Sequence, residues 1–186
     1  MPRRRFVFDP PERFVAGTIG EPGQRTFFLQ AREGGRVVTV VLEKTQVAVL
    51  AERLGSLLFE LDRRGITKPP ERESPTDAGP LDEPLDEAFR AGALTLGWDG
   101  SNEQVLIEAR AVTDEEAAGE EPPEVDDDDE DGPDLFRVRI SADAARVFVD
   151  RALRVVGAGR PPCPLCGAPL DPQGHICPRR NGHYVH

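Results

Sequence analysis

Arg13-Phe-Val-Ala-Gly-Thr-Ile19, Arg25-Thr-Phe-Phe-Leu-Gln-Ala31 and Arg36-Val-Val-Thr-Val-Val-Leu42, followed by the stretch from Thr45 to Arg63, decide the fold of this chain. The first three segments are rich in β-branched and aromatic residues and are bounded by turn residues, so they read as strands. Glu21-Pro22-Gly23-Gln24 makes the first connection and Glu33-Gly34-Gly35-Arg36 the second, where paired glycines tolerate the positive φ of a tight hairpin. The expectation is an antiparallel meander. After Leu42 the period changes: Val47, Leu50, Leu54, Leu57, Leu58 and Leu61 fall at helical spacing, with Glu52, Arg53 and Glu60 facing outward. A helix over Thr45 to Arg63 therefore packs on the sheet.

The same unit recurs further along. Phe89-Arg-Ala-Gly92 repeats the spacing of Phe14-Val-Ala-Gly17 at an offset of 75, and Ile107-Glu-Ala-Arg110 echoes Leu29-Gln-Ala-Arg32 at 78. Leu135 to Ile140 stands where Val37 to Leu42 stood, at an offset of 98, and Ser141 caps a second helix with Ala145, Phe148, Val149, Ala152 and Val156 inward. The jump in offset falls on the acidic tract Asp114 to Asp134, which reads as an insertion too polar and self-repelling to fold. The fold class is thus α+β: two β-β-β-α units forming an antiparallel sheet with packed helices, plus a C-terminal zinc knuckle. The expected divisions are 1–64 for the first unit, 65–88 for a Pro-rich linker, 89–157 for the second unit with its insertion at 114–134, and 158–186 for the tail.

Charge is unevenly spread. The formal net charge is −11, yet the tract from Asp114 to Asp134 holds thirteen acidic residues and no basic one, which leaves the rest of the chain at +2. An acidic whole argues against nucleic-acid binding by the entire domain, while five Arg against one Asp from Arg151 to His186 keep it open for the tail. The basic start Met1 to Arg5 is followed by Asp9, Glu12 and Arg13 where a secretory signal needs an apolar run, and no apolar run approaches the roughly 20 residues that span a bilayer. A cytoplasmic protein without membrane attachment is expected.

Every Cys and every His lies between Cys163 and His186. In Cys163-Pro-Leu-Cys166-Gly167 a two-residue separation lets both thiolates take adjacent corners of a tetrahedron, with Gly167 relieving the backbone after the turn. His175-Ile-Cys177 is extended, so positions i and i+2 point the same way and both can face the ion held by the first pair. His183 competes with His175 for the fourth place, since a five-residue loop from Cys177 returns it to the metal. Either choice completes a closed Cys3His site of structural type, with Zn2+ as the ion and no open position for catalysis.

Phe14-Val-Ala-Gly-Thr-Ile-Gly-Glu-Pro-Gly-Gln-Arg-Thr-Phe-Phe-Leu-Gln30, Val41-Leu-Glu-Lys-Thr-Gln-Val47, Gly159-Arg-Pro-Pro-Cys-Pro-Leu-Cys166 and Gly174-His-Ile-Cys-Pro-Arg179 resemble the actinobacterial proteins grouped as domain of unknown function 3090. With the order between them, these segments span nearly the whole chain. The resemblance implies a ligand set of Cys163, Cys166, His175 and Cys177, and it implies no established activity.

An enzyme away from the metal would have to use Asp, Glu or Lys, because no His or Cys precedes Cys163 and the only Tyr is Tyr184. No glycine loop opens a helix in the manner that collects phosphate. Glu43-Lys44-Thr45-Gln46 is the most conspicuous polar cluster: Thr45 reads as a helix cap, and Lys44 reads as either solvated or in contact with a phosphate or carboxylate. Arg25 and Arg32 read as outward strand positions or ligand contacts. Arg160, Arg179 and Arg180 beside the knuckle are the residues by which a nucleic acid would be held. Elimination leaves a non-catalytic zinc-containing adaptor with a protein partner. A nucleic-acid module acting through the basic tail, or an Asp/Glu/Lys enzyme, stands as the alternative.

Overall fold

The computed structural model describes residues 2–119, 130–159, 161–168, 170, 175–177 and 179. Its elements run β1 (Arg5–Phe8), β2 (Arg13–Ile19), β3 (Thr26–Glu33), β4 (Arg36–Leu42), α1 (Lys44–Arg63), β5 (Glu87–Asp99), β6 (Gln104–Ala111), α2 (Asp114–Ala117), β7 (Leu135–Ile140) and α3 (Ala142–Gly157). All seven strands join one sheet, in the order β1-β7-β6-β5-β4-β3-β2. Among the described residues no helix is long and apolar enough to cross a membrane.

The sheet is mixed, not antiparallel as the sequence reading has it. β2, β3 and β4 form the expected meander and β5, β6 and β7 a second one, but β4 pairs β5 in parallel and β7 pairs β1 in parallel. A strand-helix-strand passage returns the chain to the end of the sheet where it began, so the strand after α1 runs the same way as the strand before it. β1 is absent from the sequence reading because its four residues are too few to display a period.

Each strand points alternate residues at the two helices. Ala16, Leu29, Ala31, Val40 and Leu42 from one half, and Ala91, Ile107, Ala109, Val138 and Ile140 from the other, form a single core with Leu50, Leu54, Phe148 and Ala152. The halves also share a register: Leu29 pairs Val40 and Ile107 pairs Val138, matching the offsets of 78 and 98. The first strands do not match as the sequence alignment proposes. Phe14 pairs Ala31, but the counterpart of Ala31, Ala109, pairs Leu94 instead of Phe89, because β5 carries an irregularity between Ala91 and Leu94. Phe89 instead sits opposite Val40 at the parallel joint.

The sheet must curl. Flat, its edge strands β1 and β2 would lie about 29 Å apart at roughly 4.8 Å per strand, yet the residues between Phe8 and Arg13 reach at most about 17 Å. Accordingly Phe14 of β2 lies 6.3 Å from Phe136 of β7 and stacks at 4.5 Å on Phe148 of α3, and Phe136 lies 5.9 Å from Phe8 of β1. Four aromatic rings, from the two edge strands, from β7 and from α3, close the core.

Three further expectations change. α1 begins at Lys44 with Glu43, not Thr45, as its cap, and the Glu43 N–H donates to Gln46 Oε1 at 2.8 Å. Segment 65–86 has no helix or strand, but residues 77–82 within it are tied to the rest of the domain, as described below. The acidic tract is structured at both described ends. Thr113 Oγ1 caps α2 by accepting the Glu116 N–H at 3.2 Å, and Asp134 takes the Arg4 backbone N–H and Nε, each at 2.8 Å. Local capping and an arginine partner supply what composition alone lacks; residues 120–129 lie outside the described residues.

Candidate metal centre

α3 ends where the Ala158 N–H donates to the Arg154 carbonyl at 2.8 Å, and Arg25 Nη2 donates to the Ala158 carbonyl. The chain then turns back on itself: the Leu170 N–H reaches the Pro161 carbonyl at 2.9 Å and the Cys163 N–H reaches Ala168 at 2.7 Å. Inside that loop the Gly167 N–H donates to the Cys163 carbonyl at 2.8 Å, and Gly167 takes a φ of +75° that a side chain would strain. Two short backbone bridges therefore fix the Cys-x-x-Cys turn before any ion is considered.

Cys163, Cys166, His175 and Cys177 converge, with one ligand atom from each lying within 4.8 Å of every other. Cys163 Sγ is 3.9 Å from Cys177 Sγ, and Cys166 Sγ is 3.1 Å from His175 Nε2. A tetrahedral zinc with Zn–S near 2.3 Å and Zn–N near 2.0 Å separates two sulfurs by about 3.8 Å and a sulfur from a nitrogen by about 3.6 Å. The two pairs, at 3.9 and 3.1 Å, thus lie within about half an ångström of the separations a single tetrahedral zinc sets. The three cysteines are free, as 3.9 Å is nearly twice a disulfide length of about 2.05 Å.

The thiols are unequal. Backbone N–H groups of Cys166 and Leu165 lower the Cys163 thiol to about 6. Cys166 is raised: the Ala168 backbone hydrogen bond pulls it down, but burial and the neighbouring Cys163 and Cys177 outweigh that. Without an ion, crowding of sulfurs holds the second proton on; a divalent cation removes that repulsion and collects the thiolates.

The remaining candidates divide. Lys44 and Arg25 line one cleft, although they are far apart in sequence. Arg32 instead faces Asp82, at 3.6 Å. Arg179 is exposed, while Arg160, Arg180 and the competing ligand His183 lie outside the described residues. The rest of the conspicuous Glu43 to Gln46 cluster joins the two halves: Glu43 pairs Arg90 at 2.8 Å, and Gln46 Nε2 donates to the Ala91 and Gly92 carbonyls at 3.2 and 3.0 Å, at the β5 irregularity.

Sequence reasoning missed the hub around Asp77. Arg13 meets Asp77 at 2.6 Å and Asp82 at 2.9 Å, while Arg151, only 8% exposed, donates from Nη1 to Asp77 Oδ1 at 3.0 Å and from Nε to the Ala16 carbonyl at 2.7 Å. Leu81 covers Gly17, where a Cβ would come within 2.6 Å of its methyl group. An arginine inside the apolar stripe of a predicted helix was the available signal, since a buried guanidinium needs acceptors.

The fold and cluster define a class: a two-layer α+β domain carrying a C-terminal Cys3His centre able to hold a metal ion such as zinc. The chain belongs to the DUF3090 family, described as proteins of unknown function, whose model matches residues 6–177. That match runs from β1 to the last cysteine of the cluster and stops short of His183. No curated protein and no solved structure matches the chain.

Proposed function

We propose that this protein is a non-catalytic, cytoplasmic binding protein in which a structural zinc ion fixes a protein-docking surface at the C-terminal end of the domain. The observation that carries this reading is what the cluster does with the residues between its ligands. A closed Cys3His shell has no position for water or substrate, so the ion's role is to hold chain. Holding the ligands inward turns the intervening side chains outward: Leu165, between Cys163 and Cys166, is 48% exposed, and Ile176, between His175 and Cys177, is 83% exposed. Two exposed apolar groups on a rigid knuckle match a protein surface better than a phosphate backbone.

Two measurements test the two halves of the reading. Cobalt substituted for zinc should give a tetrahedral spectrum that added cyanide or azide leaves unchanged; a spectral response would reveal an open position and end the closed-site argument. Affinity capture from native lysate with zinc retained should yield a stoichiometric protein that Ile176→Ser and Cys163→Ser both lose. Capture of RNA, or of a protein that Ile176→Ser keeps, would replace this reading with the nucleic-acid one or with another surface.

A further inference from the structure

The strongest unassigned feature is the cleft of about 610 Å³ lined by Gly23, Arg25, Phe27, Lys44, Val156, Gly157 and Gly159. Four parts of the chain build it: the β2–β3 turn, Phe27 of β3, the first residue of α1, and the end of α3 with the chain leaving it. Its volume falls in the usual small-molecule range of about 300–1,000 Å³. Among the described residues, two cations and no carboxylate line it.

That imbalance is unusual for this protein. Arg13, Arg137, Arg139, Arg146 and Arg151 are all met by carboxylates. Among the described residues, Lys44 has no ion pair or hydrogen bond, and the bond found for Arg25 goes to the Ala158 carbonyl through one Nη, which leaves the rest of its fork available. Asp77 shares an adjoining groove with Arg25, but its charge is taken by Arg13 and Arg151, and Glu43, next to Lys44 in the chain, pairs with Arg90. A Cβ on Gly159 would lie 3.4 Å from Lys44 Nζ, so the ammonium sits against the backbone that leads to Cys163. Phe27 and Val156 supply an apolar wall, and the glycines leave peptide groups open beside it.

We propose that this cleft binds a small phosphate monoester with an apolar body: the dianion lies between Arg25 and Lys44, and the body rests on Phe27 and Val156. Two cations of different geometry, a planar fork and a point charge, suit a doubly charged phosphate better than a singly charged carboxylate, which one arginine fork would satisfy. The site is separate from the docking surface at Leu165 and Ile176, and either can fail without the other.

The test is an NMR titration of the zinc-loaded full chain with phenyl phosphate and, separately, with inorganic phosphate. Saturable shifts are expected at the amides of Gly23, Gly157 and Gly159, with phenyl phosphate binding more tightly than inorganic phosphate. Lys44→Gln should weaken phenyl phosphate about tenfold, the size of one charge-assisted hydrogen bond. Arg25→Gln should do the same, and Arg53→Gln, on the exposed face of α1, should change nothing. Arg25→Gln also removes the bond to Ala158, so Lys44→Gln, at an exposed helix start, decides if the end of α3 frays. No shift at those glycines, equal affinity for the two phosphates, or equal weakening by Arg53→Gln would overturn the proposal.

Discussion

Gln30 and Asp82 hold each other by two hydrogen bonds: the Asp82 N–H donates to Gln30 Oε1 at 2.7 Å, and Gln30 Nε2 donates to the Asp82 carbonyl at 2.9 Å. A side-chain amide thereby pairs with a peptide group as a neighbouring strand would. Gln30 is 1% exposed, and its second N–H is taken by Thr39 Oγ1 at 3.0 Å, so every donor it has is used. This clasp binds Asp82 to β3, while Asp77 and Gly79, toward the other end of segment 77–82, are held by Arg151 of α3.

Gln30→Leu keeps the volume but leaves the Asp82 peptide group and Thr39 without partners. Urea denaturation should show a loss of about 2–3 kcal/mol, the cost of stranded polar groups, against a change within about 0.5 kcal/mol for Gln24→Leu in the exposed turn. Equal stability of Gln30→Leu and wild type would mean that the segment stays bound without the clasp.

Asp77 gives the fold a pH dependence. The Arg13 hydrogen bond holds its carboxyl below the ordinary value; burial opposes this, and the Gly79 N–H and the charges of Arg13 and Arg151 add to it. Arg13 is raised in return by the same pair, while burial lowers Arg151 against the pull of Asp77. A carboxyl whose folded pKa lies below its unfolded one contributes stability in full above the ordinary range near 4, and loses it as pH falls through the folded value. Asp77→Asn should therefore cost about 2 kcal/mol at pH 7, allowing for its partial exposure. The gap between the urea midpoints of the two proteins should narrow from pH 5 to pH 3. A constant gap across that range would show that the charge of Asp77 is not what matters.

Period and turn chemistry were enough to place β2 to β4 and both long helices, and spacing to expect the three cysteines to gather with one histidine, because each depends on residues close together in the chain. The mixed pairing, β1 and the irregularity in β5 depend on what lies beside a strand, and that is fixed by the route of the chain after α1. The Pro-rich stretch shows the same limit. Asp77, Asp82 and Leu81 look like linker residues until Arg13, Gln30 and Gly17 are placed against them. Lys44 stands out within the Glu43 to Gln46 cluster, yet its relation to Arg25 shows only once the β2–β3 turn and the start of α1 line one cleft.

The metal centre makes a prediction about one histidine. Cys163→Ser and His175→Ala should each lower bound zinc in the purified protein, and His183→Ala should leave about one ion per chain, as a four-coordinate site implies. Acid should release the ion, because protons compete for the same sulfur and nitrogen lone pairs. The core around Phe148 and Leu54 should keep its circular dichroism when the ion leaves. Retention of zinc by His175→Ala together with its loss from His183→Ala would reverse the ligand assignment.

Two glycines of β5 separate packing from backbone freedom. A Cβ on Gly92 would meet the Val112 Cα at 2.9 Å and a Glu116 carboxylate oxygen at 2.4 Å, whereas one on Gly97 would meet nothing within 4 Å. Glu116 can swing aside, but Val112 is backbone, and its N–H donates to the Arg90 carbonyl at 2.9 Å. Gly92→Ala must therefore push apart β5 and the chain entering α2, next to the carbonyl that Gln46 holds. It should destabilise the protein by about 1–3 kcal/mol, as overpacking does. Gly97→Ala, in the same strand with open space beside it, should be neutral or stabilising by about 0.5 kcal/mol through the unfolded chain. Thermal denaturation of the two variants side by side checks the contrast, and similar melting temperatures for both would show that the contact at Val112 relaxes at no cost.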